Sequence, residues 1–247
     1  MSACSLPGLP TEIICKIFRS APDFSVIAAL AKTARVFYYI WRKHAGSIYK
    51  AVAPRAISNL AIAERLADEQ GIVEAMEQPH GGSNKSIVRI KRLLSNMRCA
   101  SAASAEWVDF CAIHKWREDQ SPMTSSEMLR FQHAFYSVWA IGFIGHSSRE
   151  DRDRALEYVD ERSPREMFSL NEFSDWTFFS KNEFEPVNLD FKDDNWHTGR
   201  EVVSMGWSSY KARGFDFVLR PQPTPEDWVA FFDHTQAWVD EVPADKC

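Results

Sequence analysis

The chain has 247 residues, of which 45% are hydrophobic and 26% charged, with a formal net charge of −5. This is the composition of an ordinary globular protein of one large or two small domains. No apolar run reaches the length of a membrane span, and no basic segment followed by an unbroken apolar run marks a secretory signal.

Five scattered cysteines, Cys4, Cys15, Cys99, Cys111 and Cys247, are expected to be free thiols in a reducing compartment, cytoplasmic or nuclear. The glycosylation pattern at Asn84-Lys85-Ser86 is then idle. Charge is unevenly spread. Residues 1–50 hold seven Lys/Arg against two Asp/Glu, whereas residues 99–247 hold 15 against 27. A basic N-terminal part is steered toward an acidic partner.

The first predicted element follows Leu6-Pro7-Gly8-Leu9-Pro10-Thr11-Glu12. Pro10 suits a helix start because a first-turn N–H has no intrahelical acceptor. Glu12 falls in the first turn, where the helix dipole favours negative charge. Ile13, Ile14, Ile17 and Phe18 then form an apolar stripe at helical spacing. Asp23 or Ser25 is placed to cap a second helix through Leu30, with Phe24, Val26 and Ile27 apolar. Thr33 is placed to start a third, carrying Val36, Phe37, Ile40 and Trp41 and ending near His44. A short extra helix is expected over Ser47–Ala53, stopped by Pro54.

Ser58 to Gln70 reads as a helix with Leu60, Ile62 and Leu66 inward and Gly71 as its end signal. Gln78 to Asn84 reads as a loop. Ile87, Ile90, Leu93 and Leu94 predict a helix from Ser86 to about Met97, and Trp107, Phe110 and His114 another. Thr124-Ser125-Ser126-Glu127 is a capping-box pattern before Met128, Phe131, Phe135, Val138, Trp139 and Phe143. Ser163-Pro164-Arg165-Glu166 and Thr224-Pro225-Glu226-Asp227 repeat the cap-then-proline device. They precede Met167, Leu170, Phe173 and Trp176, and Trp228, Phe231, Phe232 and Trp238. Val187–Phe191 and Phe215–Leu219 alternate briefly, as short strands or extended loops do. The expected fold is mainly α, with few short strands at most.

Leu9-Pro10-Thr11-Glu12-Ile13, Ile17-Phe18, Leu30 and the aromatic end from Phe37 to Trp41 resemble an F-box. That is the three-helix module that docks onto the acidic Skp adaptor of cullin-based ubiquitin ligases. A looser similarity, in Ala51-Val52-Ala53-Pro54-Arg55 and in Arg130-Phe131 through Phe135-Tyr136 and Trp139, is to fungal F-box proteins. The resemblance implies an F-box-like domain over 1–46 and an α-helical C-terminal domain over 47–247 that recruits a target. It implies Skp contacts by Leu6, Leu9, Pro10, Glu12, Ile13, Ile17, Phe18, Leu30, Phe37 and Trp41, with Glu12 mainly holding the helix start.

Other chemistry finds little footing. Cys111-x-x-His114 with Cys99 upstream lacks a second tight pair, so no metal is expected. The acidic run Glu183, Glu185, Asp190, Asp193 and Asp194 near His197 reads as a solvated loop rather than converging acid–base groups. No phosphate loop, nucleophile elbow or calcium loop is present. The stripe of Lys85, Arg89, Lys91, Arg92 and Arg98 lacks any accompanying nucleic-acid motif and reads as a solvated helix face. The expectation is a non-enzymatic adaptor without cofactor, partnered by a Skp subunit, a cullin and an unknown target. The alternatives are a self-contained helical protein whose first helices are core, and a small enzyme.

Overall fold

The computed structural model describes residues 8–77, 85–113, 122–146, 148–183 and 194–212, and all secondary structure among them is helical. Helix α1 spans Thr11–Ser20, and Pro10 stands at its N-cap, its carbonyl accepting from the Ile13 and Ile14 amides at 3.0 and 3.2 Å. Helix α2, Phe24–Thr33, is capped by Asp23, whose Oδ1 accepts from the Ser25 and Val26 amides at 2.8 and 3.1 Å. The Thr33 hydroxyl donates back to the Leu30 carbonyl at 2.7 Å, so it closes α2 instead of opening the next helix.

Helix α3 is one continuous run, Arg35–Ala56, with Pro54 inside it. The break expected after His44 does not occur. Ser47 donates its hydroxyl to the His44 carbonyl at 3.0 Å and so does not cap a new start. Ile40, Ala45, Ile48 and Val52 carry the buried stripe straight through. Pro54 lies in the last turn, where few backbone bonds remain to be lost.

Two further expected boundaries are absent. Helix α4, Leu60–Glu77, passes through Gly71, beside which the Arg92 guanidinium packs; a Cβ there would lie 3.0 Å from Arg92 Nη1. Helix α5, Lys85–Ile113, is a single helix of 29 residues. Between Met97 and Trp107 its inward positions are the small residues Ala100, Ala103 and Ser104, so the stripe continues without large apolar side chains.

Helix α6, Ser125–Ile144, opens on the expected capping box. Thr124 Oγ1 accepts from the Glu127 amide at 3.3 Å, and Glu127 Oε2 accepts from the Thr124 amide at 2.7 Å. Helix α7, Arg149–Asp160, is capped by Ser148. Helix α8, Pro164–Glu183, begins at Ser163, whose hydroxyl accepts from the Glu166 amide at 3.3 Å. Helix α9 spans Asp194–Ala212. The expected loop at Gln78–Asn84, both candidate strands and the Thr224 helix lie outside the described residues.

α6 is the axis of the larger part. Phe131 and Phe135 meet Phe173 of α8 edge-to-face at 5.2 and 5.9 Å between ring centroids, and Phe135 meets Trp196 of α9 at 5.4 Å. Trp107 of α5 reaches Trp176 at 5.1 Å. α6 and α9 cross with their backbones in contact: a Cβ on Gly142 would lie 1.8 Å from the Asn195 carbonyl oxygen, and one on Gly199 2.1 Å from that of Val138. One buried apolar cluster extends from Ile14 of α1 to Trp207 of α9.

Candidate partner-docking surface

α1 and α2 both pack on α3, and α3 packs on to α5, so the first three helices join the common core. Their shared interior is aromatic. Phe18 meets Phe37 edge-to-face at 6.4 Å and Trp41 at 6.5 Å, and Phe24 stacks on Tyr49 at 6.2 Å. Phe18 and Phe37 are therefore inside the core, together with Ile14, Ile27 and Ile40. Burial also raises the pKa of the Cys15 thiol, against the lowering effect of Arg19.

The remaining sequence-predicted contact residues divide into two groups. Pro10, Glu12, Ile13 and Ile17 are exposed, with Ile13 at 40% and Ile17 at 37%. They occupy one end and one edge of α1, the two isoleucines one turn apart. Leu9, Leu30 and Trp41 are half-buried and pack against the core cluster. Leu6 lies outside the described residues. Among the described residues nine large apolar side chains are exposed, and six belong to α1–α3: Ile13, Ile17, Val26, Val36, Tyr38 and Tyr39. Periodicity alone does not single out Tyr38 and Tyr39, because they fall off the inward stripe of α3.

Charge around these side chains is mostly positive. Lys16, Arg19, Lys32, Arg35, Arg42 and Lys43 are all exposed. The Arg42 guanidinium lies 5.7 Å from the Tyr38 ring centre, and Arg19 Nη2 donates to the Ser47 hydroxyl at 3.2 Å. Asp23 is the one acid of α2's start; the Ser25 hydroxyl, then the Val26 amide, hold its carboxyl below the usual range.

Arg55, near the end of α3, fastens α3 to the end of α1. Its Nε donates to the Ala21 carbonyl at 2.9 Å, its Nη1 to that of Ala51 at 2.6 Å, and its Nη2 to those of Arg19 and Ala21. The carbonyls at the C-terminus of α1 lack intrahelical partners and carry the negative end of the helix dipole, so a guanidinium is a suitable closing group.

The other sites considered fall elsewhere. Cys111 is fully buried in the core, Cys99 is half-buried and His114 lies outside the described residues. In the basic stripe of α5, Arg89 pairs with Asp68 at 2.8 Å and Arg92 with Glu74 at 2.5 Å, both on α4. Those two cations are helix–helix connectors. Asp194 and His197 open α9; Asp190 and Asp193 lie outside the described residues. His133 and Glu166 share a hollow of about 260 Å³ with Ser169. Burial pushes the His133 imidazole below its usual pKa. Burial alone would raise Glu166, but hydrogen bonds from the Ser163 amide and hydroxyl, with Arg162 and His133 nearby, hold it low. That carboxylate serves the cap of α8.

No helix among the described residues is long and apolar enough to cross a membrane. No protein-family model, curated protein or solved structure matches this chain.

Proposed function

We propose that this chain is an F-box-type adaptor: its first three helices dock onto a Skp subunit, and the helical remainder presents a target protein to a cullin-based ubiquitin ligase. The observation that carries this reading is the concentration of exposed large apolar side chains in α1–α3. Ile13, Ile17, Val26, Val36, Tyr38 and Tyr39 remain in water although the inner faces of the same helices are packed into the core. Exposed apolar groups on helices that also expose Lys16, Arg19, Lys32, Arg35, Arg42 and Lys43 suit an acidic partner that supplies apolar contacts. The adaptor itself performs no bond chemistry; it raises the effective concentration of target lysines near the transferring enzyme.

A tagged full-length chain, purified from its native cell, is expected to bring down Skp and cullin subunits together. Ile13→Asp with Ile17→Asp should lose both while leaving the circular dichroism spectrum unchanged. A folded double variant that still retains both subunits contradicts the reading. A second reading, a self-contained helical protein that joins no ligase, draws support from the burial of Phe18 and Phe37 and from the unbroken α3. It predicts that neither subunit co-purifies.

A further inference from the structure

A cleft of about 560 Å³ opens where α4, α5, α6 and the start of α9 meet, on a part of the molecule separate from the docking surface. Its volume is within the range of small-molecule sites. Trp139 and Phe143 form an aromatic wall, their ring centres 6.4 Å apart and tilted by 41°. Val73 and Val88 complete the apolar lining.

Two amides face this lining from between α4 and α5. Asn96 Nδ2 donates to Gln70 Oε1 at 2.8 Å, and Gln70 Nε2 donates to Asn96 Oδ1 at 3.3 Å. Both residues are more than nine-tenths buried, Gln70 at 8% and Asn96 at 2% exposed. The reciprocal pair uses one N–H and one oxygen of each amide. A second N–H and a second acceptor direction remain on each, and among the described residues neither amide has another partner. Two buried amides with spare hydrogen-bonding capacity, beside a space large enough for a ligand, form a polar recognition point.

The charge at the rim is selective. Arg92 is taken by Glu74 at 2.5 Å and by the Ala67 carbonyl at 2.9 Å. Lys91 is exposed at the cleft and has no ion-pair partner among the described residues. An ammonium at the mouth, an aromatic wall and a buried amide pair select one chemical class. We infer that this cleft binds a flat aromatic carboxylate bearing a polar ring substituent, the ring against Trp139 and Phe143, the carboxylate at Lys91 and the substituent at Gln70–Asn96.

The test uses the full chain and 4-hydroxy-1-naphthoate as probe, followed by the Trp139 indole N–H signal, assigned with Trp139→Phe. A saturable shift of that signal is expected. Lys91→Gln should weaken binding about fivefold, the size of one solvent-exposed ion pair. The unsubstituted 1-naphthoate should also bind several-fold more weakly to the natural chain. Val88→Trp, which fills the cleft, should remove the shift. The inference is overturned if the Trp139 signal does not move saturably, or if it moves equally in Lys91→Gln and for both probes. These comparisons stand on the natural chain and a surface variant, so they decide the matter even if Val88→Trp fails to fold.

Discussion

Around α6, Phe131, Phe135, Trp107 and Phe173 are all 0% exposed, and their rings close on one another from three helices. In the first three helices the inner rings of Phe18, Phe37 and Trp41 are likewise packed, yet Ile13, Ile17 and four other large apolar side chains stay in water. Both regions are helical and both are rich in aromatic residues. The larger one has enough helices to cover its apolar faces; the three N-terminal helices do not. The first three helices pack on one another and, through α3, on α5, so their outer faces have no further helix among the described residues to cover them. The uncovered remainder is what a partner can use.

The largest effects should fall where rings are sealed. Phe131→Ala removes a ring enclosed by Trp107, Phe173 and Trp176, and is expected to cost about 4 kcal/mol in urea unfolding. Phe18→Ala, whose ring is also buried, is expected to cost a similar amount; a loss below about 1 kcal/mol from either would contradict the packing described.

Gly199→Ala comes next. The added Cβ would meet the Val138 carbonyl oxygen at 2.1 Å, and backbone on a packed helix cannot swing aside. A loss of about 3 kcal/mol is expected, read from the shift of the urea midpoint. Gly46→Ala, where the nearest atom is the Ser86 hydroxyl at 3.4 Å, should be close to neutral and marks the contrast.

Arg55→Ala should cost about 1 kcal/mol, because it removes the donor to the Arg19, Ala21 and Ala51 carbonyls. Its sharper signature is local: amide exchange in α1 should accelerate while α6 remains unchanged. Uniform acceleration would place α1 in the same cooperative unit as the aromatic core.

A smaller change is expected on mild acidification. Burial disfavours the charged form of His133 and lowers its pKa from the ordinary 6.5. The unfolded chain therefore takes up this proton first as pH falls. The His133 contribution is full above pH 6.5 and declines from there toward the lowered folded value. His133→Gln should flatten this segment of the stability–pH curve; an unchanged slope would assign it to other groups.

The smallest stability effect is expected at the surface. Ile13→Ala with Ile17→Ala should change unfolding by less than about 0.5 kcal/mol, while Skp binding falls sharply. A large loss of stability would place both side chains in the core.

Much of this contrast was legible in the sequence because local chemistry specified it. The Thr124–Glu127 and Ser163–Glu166 caps and the aromatic stripe of α6 follow from spacing alone. Helix continuity was harder. The stretch Ala100–Ala105 looked like a gap because small residues pack without an apolar signature, and Gly71 looked like a stop because a close-packed glycine and a C-terminal glycine are the same letter. α7 carries little periodic signal, since Ala155, Leu156 and Val159 are few among its charges. α9 was obscured by the acidic run before Trp196. The candidate docking surface was half visible. Apolar periodicity named Ile13, Ile17, Phe18 and Phe37 together, but only packing separates the inner pair of rings from the outer pair of isoleucines. Tyr38 and Tyr39 fall within the aromatic stretch from Phe37 to Trp41, but they lie off the inward stripe and stay in solvent, so periodicity does not mark them as contacts.

Hydrogen exchange of the full chain, alone and with a purified Skp adaptor, tests the docking claim most directly. Slowed exchange is expected in α1, α2 and the first half of α3, with α6, α8 and α9 unaffected. No change in any helix, or protection confined to the helices around α6, would contradict it.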